Sequence, residues 1–165
     1  METNMAKAKN PIPEVLHTIT PHLTVKGAAQ AIDFYKKAFG AIERSRMPGP
    51  NGLIMHASMK IGDSSFFLAD EMPGMEGAGS TSPTKAGSTT VVLNLYVQDS
   101  DKLFKQAVAA GAKVTMPLAD QFWGDRYGQV KDPYGHVWAI ATHTEDLSPK
   151  EMEERGRQAM AQGRH

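Results

Sequence analysis

The stretch QFWGDRYGQVKDPYGHVWAIATH, residues 121–143, is the part of the chain that decides its fold. Two strand-like runs flank the sequence DPYG at residues 132–135, and Asp, Pro and Gly in this order are typical of a tight turn, so the stretch predicts a β-hairpin. An earlier stretch, KIGDSSFFL at residues 60–68, has the same pattern and matches residues 131–139 at an offset of 71. Two hairpins at a fixed offset indicate an internal duplication.

Each hairpin follows a short alternating strand and an amphipathic helix. The first strand and helix lie in residues 22–41, the second pair lies in residues 94–112, and the two copies superpose at an offset of 72. Apolar residues recur at helical spacing in both copies and predict one buried face on each helix. These residues are Ala31, Ile32, Tyr35, Ala38 and Phe39 in the first helix, and Leu103, Phe104, Ala107 and Val108 in the second.

The repeat predicts the fold class and the domain boundaries. Each copy has the order βαβββ, so we expect an α+β protein whose two tandem βαβββ modules form an open, cup-like mixed sheet with the helices on the outer face. The predicted segments are a flexible N-terminal tail at residues 1–16, the first module at 17–72, a linker rich in Gly, Ser and Pro at 73–88, the second module at 89–145, and a C-terminal helix or tail at 146–165. Ser148, Pro149 and Glu151 are typical of a helix start.

The composition excludes several classes of function. The 18 Lys and Arg residues balance the 18 Asp and Glu residues, so no net charge attracts nucleic acid or an anionic membrane, and we expect neither as a partner. The chain has no Cys, which excludes disulfides and Cys-ligated metal centres and favours a cytoplasmic location. No apolar run reaches membrane-spanning length, and residues 1–10 lack the apolar region of a signal peptide. A cytoplasmic protein that binds small molecules is the class that remains.

The duplicated modules and three motifs resemble a known family. The motifs are FYKKAFGA at residues 34–41, FLADEMPG at 67–74 and the stretch at 121–143, of which the last is the most specific. Together they resemble the vicinal oxygen chelate superfamily, which includes glyoxalase I, bleomycin-resistance proteins and extradiol dioxygenases, and they are most similar to its PhnB-like glyoxalase/bleomycin-resistance branch. The resemblance covers roughly residues 17–145. It implies a cup assembled with a second module or a second chain, a small-molecule ligand and a homodimer.

The resemblance also implies where a catalytic metal would bind. The metal enzymes of the superfamily hold a divalent ion with His or Glu on the first and last strands of each module. Carried over to this chain, those positions are Thr20 and Val92 on the first strands, and about Leu68 and Ala139 on the last strands. Thr is a poor ligand, and Val, Leu and Ala offer no donor atom. We therefore expect no metal at these positions and no cofactor.

Strand alternation predicts which side chains face the cup. The apolar residues of the first strand in each module pack under the helices, which turns their polar neighbours to the opposite side. The predicted ligand-binding residues are His22, Thr24, His56, Asn94, Tyr96, Gln121, Trp123, Arg126 and Tyr127. Their imidazole, hydroxyl, amide, indole and guanidinium groups suit the recognition of an aromatic, zwitterionic or carboxylate-bearing molecule. No catalytic residue is assigned.

Some of these assignments have alternatives. The strand around His56 is not clearly apolar on either side, so His56 stays open between the cup and the exterior. For Arg126 the alternative is an ion pair with Asp125 or Asp132, and for Trp123 it is packing on a hairpin. The residues expected to have structural roles are His17, His136, His143, His165 and Trp138, the last of them beneath the second helix.

Three functions follow from this sequence. The first is a metal-free, dimeric binding protein that sequesters a small molecule in its cup. The alternative is a metal-dependent lyase or isomerase of the glyoxalase type, or a dioxygenase, with displaced metal ligands and with His22 or His56 as an acid–base group. The third is a structural module that binds a partner. The missing donors at the family's metal positions favour the first.

Overall fold

The computed structural model describes residues 7–75 and 80–163, which form the two modules that the repeat predicts. The first module comprises β1 (His22–Val25), α1 (Ala28–Phe39), β2 (Ile42–Pro48), β3 (Ile54–Ile61) and β4 (Ser64–Asp70), with a single 3₁₀ turn at Pro50–Gly52. A short helix, α2 (Pro83–Ala86), precedes the second module. That module comprises β5 (Val92–Tyr96), α3 (Ser100–Ala110), β6 (Lys113–Asp120), β7 (Asp125–Lys131) and β8 (Val137–His143), and α4 (Pro149–Ala161) follows it.

Each module forms its own four-stranded mixed sheet. The strand orders are β1-β4-β3-β2 and β5-β8-β7-β6. In both sheets the first strand pairs in parallel with the last strand, and the other pairs are antiparallel. The two predicted hairpins are β3–β4 and β7–β8, which confirms the duplication. The predicted α+β class, with two tandem βαβββ modules and the helices on one face of each sheet, is confirmed as well.

The helices bury the stripes that their apolar spacing predicts, with one exception. All five predicted residues of α1 are buried, and Gly40 ends this helix in the left-handed conformation, with φ 65°. In α3, Ala107 is fully buried, and Leu103 and Phe104 pack against the core. Val108, however, is 40% exposed, so its assignment to the buried stripe is wrong. The buried stripe of α3 is narrower than that of α1, and Val108 lies at its margin.

The helix-covered sides of the two sheets share one hydrophobic core. Trp138 on β8 lies with its ring centroid 4.7 Å from that of Phe39 and 5.4 Å from that of Tyr35, both on α1. Tyr35 also contacts Phe66 of the other sheet, at 5.7 Å, so α1 lies between the two sheets. Trp138 is therefore a core residue, as predicted, and its ring contacts include two residues of α1. The helix-free sides of both sheets consequently form the outside of the chain.

Asp132, in the β7–β8 turn, joins the two modules. Its buried carboxylate accepts a hydrogen bond from the Tyr35 hydroxyl at 2.7 Å and one from the Trp138 indole N–H at 2.9 Å, and it also accepts bonds from two backbone N–H groups of the turn. Burial, followed by the negative charge of Asp132, raises the pKa of Tyr35 well above its ordinary value. The His136 ring places Nε2 3.0 Å from the carbonyl oxygen of Thr24, which agrees with a structural role.

The segments outside the modules contain some regular structure. In the predicted linker, buried Ser82 caps α2, and its backbone N–H donates to the carboxylate of Glu71 at 2.7 Å. Residues 76–79 of the linker and residues 1–6 of the predicted tail lie outside the described part of the chain. The C-terminal helix α4 begins with the capping box that Ser148 and Glu151 predict. None of the helices in the described part of the chain is both long and apolar enough to cross a membrane.

Candidate functional site

Side-chain alternation divides the helix-free surface of the chain into two polar faces. Face A is the helix-free side of the β1-β4-β3-β2 sheet, and it carries His22, Thr24, His56, Ser58 and Phe67. Face B is the helix-free side of the β5-β8-β7-β6 sheet, and it carries Asn94, Tyr96, Asp125, Tyr127, Gln129 and His143. Because the helix-covered sides meet in the shared core, the two faces are not opposed to each other within one chain.

Face A brings two imidazoles together beside an aromatic ring. The ring centroids of His22 and His56 are 5.8 Å apart, and the Phe67 ring lies 4.7 Å from His56. His56 therefore lies on the same side as His22, while Ala57 and Met59 of the same strand are buried in the core. Burial, followed by the neighbouring His56, lowers the pKa of His22 below its ordinary value and favours the neutral imidazole.

The four positions that the resemblance assigns to a metal do not form a metal centre. Thr20 precedes β1, and the Leu68 side chain is buried in the core. On face A, the paired residues of β1 and β4 are His22 and Phe67. Val92 and Ala139 have no donor atom. Within residues 7–75 and 80–163, no group of three or more His, Cys, Asp or Glu residues is placed to hold a metal ion. The residues present do not fit the metal centre of the superfamily.

Face B is organised around the carboxylate of Asp125, the first residue of β7, which is only 3% exposed. Its Oδ2 accepts a hydrogen bond from the Tyr96 hydroxyl at 2.6 Å and one from the Trp123 indole N–H at 3.0 Å. Its Oδ1 lies 2.8 Å from Nδ1 of His143. Strands β5 and β8 and the loop before β7 therefore each supply one side chain to the same carboxylate. We call these four residues the Asp125 cluster.

Hydrogen bonds set the charge states of the Asp125 cluster. Burial works to raise the pKa of Asp125, but the hydrogen bonds from Tyr96, His143 and Trp123 together outweigh burial and lower this pKa below its ordinary value. The same bond to Asp125 raises the pKa of the Tyr96 phenol. Hydrogen bonds to Asp125 and then to Asp146 raise the pKa of His143. The cluster thus combines a charged carboxylate, a neutral phenol and an imidazole that holds its proton more readily than usual.

Aromatic rings border the Asp125 carboxylate. The rings of Trp123 and Tyr127 lie 5.3 Å apart at 77° and form a corner. Tyr96 and Tyr127 are cross-strand neighbours of the same residue, Ala141 of β8. Because the methyl group of Ala141 is small, the Tyr96 side chain can extend over β8 to reach Asp125. Rings, a carboxylate and an imidazole in this arrangement can hold a small organic group by ring contacts and hydrogen bonds.

The structure brings together only part of the predicted ligand-binding set. Asn94, Tyr96, Trp123 and Tyr127 lie on or beside face B, whereas His22 and His56 lie together on face A. Thr24 has the same strand parity as His22, but it is buried, with 7% of its surface exposed. Gln121 lies in the loop before β7, where its side-chain amide is 3.4 Å from the carbonyl oxygen of Ala119. His165 lies outside the described residues.

Arg126 belongs to the opposite side of its sheet. Its guanidinium forms an ion pair of 2.7 Å with Asp101 of α3 and one of 3.2 Å with Asp120 of β6, and these carboxylates raise the pKa of Arg126. Neither carboxylate is one of the partners that the sequence suggests. Neighbouring residues of a strand point to opposite faces, so Arg126 cannot share the face of Asp125 and Tyr127. Arg126 is therefore not part of the Asp125 cluster.

The sequence does not reveal two residues of the cluster. It places Asp125 in a turn and His143 among the structural histidines, whereas the two residues are paired partners on β7 and β8. The available signal is spacing, because Trp123, Asp125 and Tyr127 follow one another at the interval of two that places strand residues on one face. The predicted hairpin then brings residue 143 opposite residue 125.

A groove of about 620 Å³ lies next to face B, between the two modules. The β3–β4 turn, β5 and α3 border this groove, and its lining includes Phe39, Asn94, Tyr96, Leu103 and Gln106. Tyr96 therefore borders both the groove and the Asp125 carboxylate. A ligand on face B can extend from the aromatic corner along Tyr96 into this partly apolar groove.

Comparisons with known proteins agree with the fold. Residues 15–140 match the model of the Glyoxalase/Bleomycin resistance protein/Dioxygenase superfamily. The uncharacterized protein Rv0887c of Mycobacterium tuberculosis is 45% identical over 135 residues, which are 82% of this chain and 79% of that protein. The crystal structure of TioX from Micromonospora sp. ML1 superposes with a TM-score of 0.62 at 27% identity, over 77% of this chain and 98% of TioX. Protein PA1353 from Pseudomonas aeruginosa superposes with a TM-score of 0.62 at 24% identity, over 78% and 99% of the two chains.

Proposed function

Since the chain belongs to the Glyoxalase/Bleomycin resistance protein/Dioxygenase superfamily, we propose that it is a homodimeric protein that binds a small organic molecule without a metal ion. Face B of one chain and face A of a second chain are the two walls of the binding cup. The observation that carries this proposal is the convergence of Tyr96, Trp123 and His143 on buried Asp125. The chain itself leaves this surface uncovered, with Tyr96 62% exposed.

Uncovered apolar side chains support a second chain over each face. Met47 on face A is 54% exposed and Val92 on face B is 44% exposed, in addition to Tyr96. Apolar surface of this kind is removed from water when an interface covers it, which stabilises the assembly. Each sheet also ends in strands with unpaired edges, which favour a covering partner.

The assembly is tested by sedimentation equilibrium at micromolar protein concentration. We expect the mass of a dimer for the natural chain. A Met47→Glu substitution places a charge in the proposed interface and should shift the protein toward monomer, whereas Glu153→Gln on the exposed side of α4 should leave the dimer intact. A monomeric mass for the natural chain would contradict the proposal.

Ligand binding is tested with the two tryptophans of the chain as reporters. Trp138→Phe removes the buried tryptophan and leaves Trp123 on face B. We expect saturable changes in Trp123 fluorescence with at least one compound of a panel that contains bleomycin A2 and aromatic metabolites. By calorimetry, Trp123→Ala should weaken binding about tenfold or more, as for a central aromatic contact. Arg126→Gln, on the opposite side of the sheet, is the matched control and should not alter the affinity.

Independence from metal is tested with the same compound. Binding should persist after dialysis against EDTA. Uptake of Zn²⁺, Ni²⁺, Mn²⁺ or Fe²⁺ at one ion per chain, lost in His22→Ala, would show that a metal centre exists and would overturn this part of the proposal.

A further inference from the structure

We propose that the ligand group held by the Asp125 cluster is an organic cation, such as an alkylated ammonium group, that contacts the rings of Tyr96, Trp123 and Tyr127. This inference rests on the proposed binding function and specifies the chemistry of its ligand. Cations bind favourably against the faces of aromatic rings, and aromatic side chains recognise alkylated ammonium groups in this way.

Hydrogen bonds and a ring contact hold three aromatic side chains on face B. The Tyr96 hydroxyl and the Trp123 indole N–H donate to the same carboxylate oxygen, so the polar edges of both rings meet at one atom. Tyr127 adds a third ring, perpendicular to Trp123 within 13° and 5.3 Å from it. The Tyr127 hydroxyl is engaged by the Gln129 amide at 2.8 Å, which holds the ring in place. Two aromatic side chains thus donate to the Asp125 carboxylate, and a third packs against one of them on face B.

The region around Asp125 contains more negative than positive charge. Asp125 is buried and has a lowered pKa, so it is negatively charged, and its two bonds from Tyr96 and Trp123 come from neutral groups. Of the described residues, His143 is the one titratable cation that contacts this carboxylate. Asp146 contacts the other nitrogen of His143 and adds a second negative charge. Arg126, the next residue along β7, forms its ion pairs on the opposite side of the sheet.

The charges around Asp125 favour a ligand group with a positive charge. With His143 protonated, Asp125, His143 and Asp146 together carry one net negative charge, which disfavours a negatively charged group on face B. A neutral group would gain ring contacts alone. A cation gains both the ring contacts and the attraction of Asp125, and it keeps the hydrogen bonds of the cluster intact, since it needs no acceptor from them.

The test compares choline with 3,3-dimethylbutan-1-ol, which has the same shape and no charge. Each compound is titrated into the natural dimer, and the indole N–H signals of Trp123 and Trp138 are followed by NMR. We expect choline to shift the Trp123 signal saturably and the buried Trp138 signal little. The affinity of the uncharged compound should be at least about tenfold lower, because this compound lacks the cation–π contribution.

Four variants separate charge, ring and background effects. Asp125→Asn should weaken choline binding about tenfold, whereas Glu153→Gln removes an equal charge from α4 and should have no effect. Tyr96→Ala should weaken binding by a similar factor, and Tyr96→Phe, which keeps the ring, should restore most of it. Circular dichroism of each variant checks that the fold is retained.

The outcomes separate this inference from the proposed function. Equal binding of choline and its uncharged analogue, or no choline binding while a compound of the panel still perturbs Trp123, would overturn the cation inference and leave the binding function standing. A Trp123 signal that no compound perturbs would contradict both. Selective choline binding that depends on Asp125 and on the Tyr96 ring would support both.

Discussion

Two buried aspartates, Asp132 immediately after β7 and Asp125 at the start of this strand, have different roles. Asp132 points to the helix-covered side, where its partners Tyr35 and Trp138 are themselves buried in the core. Asp125 points to the helix-free side, where its partners Tyr96 and His143 remain exposed. The first carboxylate therefore stabilises the contact between modules, while the second orients side chains that a ligand can reach.

The histidines of the two faces should titrate in opposite directions from an ordinary imidazole. Burial beside His56 lowers the pKa of His22, and hydrogen bonds to Asp125 and Asp146 raise that of His143. We expect ¹H–¹³C NMR titrations to show protonation of His143 at higher pH than His22. In Asp125→Asn the pKa of His143 should fall, because its first partner loses its charge, while that of His22 on the other sheet should not change.

The sign of this shift fixes its effect on stability. A raised pKa in the folded state means that protonated His143 stabilises the fold, fully at pH values below the pKa of an unfolded histidine, and that this contribution disappears as the pH rises through the folded pKa. Asp125→Asn removes this contribution of His143. The resulting loss of unfolding free energy should therefore be larger at low pH than at high pH. A His143 titration that is identical in the variant would show that the Asp125 contact is absent in solution.

Asp132→Asn tests the carboxylate between the modules. Asn places an NH₂ group where two donors now bind an acceptor, so at least one buried donor loses its partner. We expect the free energy of unfolding to fall by about 2–4 kcal/mol, as for the loss of a buried network. Asp63→Asn in the matching exposed turn of the first hairpin is the control and should change it by less than about 0.5 kcal/mol. Equal midpoints in urea for the two variants would contradict the role of Asp132.

At the scale of elements, the loop between β6 and β7 positions Trp123 through one constrained glycine. Gly124 has φ 92°, and a Cβ at this position would lie 2.5 Å from the carbonyl oxygen of Glu145. Helix α4 supports the same loop from outside, because a Cβ at Gly156 would lie 3.3 Å from the Phe122 ring. The Phe122 ring in turn contacts Trp123 at 5.1 Å. The backbone at Gly124 and the packing of α4 together fix the aromatic corner.

Gly124→Ala should therefore disturb the site as well as the stability. Gly62, in the β3–β4 turn, also has positive φ, at 57°, but a Cβ there would have no atom within 4 Å. Gly62→Ala should cost about 1–2 kcal/mol for the left-handed backbone alone, and Gly124→Ala should cost more, because the Glu145 backbone must move. Urea unfolding measures the loss of unfolding free energy in both variants. The Trp123 indole signal should shift in Gly124→Ala and not in Gly62→Ala. Equal costs and an unshifted signal would show that the contact is not tight.

Local patterns in the sequence were enough to predict most of the elements. The helices, both hairpins and the capping box at Ser148 depend on neighbours within a few residues, and all are confirmed. Details of packing depend on contacts between distant segments. Val108 lies at the margin of a packing stripe whose width the sequence does not reveal, and the contact of Trp138 with Phe39 joins residues of the two modules.

The candidate site was harder to predict than the fold for the same reason. His22, Asn94 and Tyr96 follow from alternation within one strand. The role of Asp125 needs three partners from separate elements, which no local pattern brings together. Arg126 has the chemistry of a ligand-binding residue, but strand parity at β7 turns it toward α3.

At the scale of the whole molecule, the position of the core determines how a cup can form. Because α1 contacts residues of both sheets, the shared core occupies the space between them, and faces A and B are turned outward. A closed cup then requires a surface from outside the chain. The simplest source is a second copy, since a twofold dimer can oppose face A of each chain to face B of the other and form two equal cups.

This arrangement predicts complementation between two inactive variants. His22→Ala/His56→Ala damages face A, and Trp123→Ala damages face B, so each homodimer should lose affinity for the compound that binds the natural chain. After subunit exchange of an equal mixture, half of the dimers are mixed and contain one cup with both faces intact, so calorimetry should recover about a quarter of the natural number of sites. A mixture of Trp123→Ala with Tyr96→Ala, both on face B, should recover none. Recovery in neither mixture, with dimers intact and subunits exchanged, would show that each cup is built from one chain.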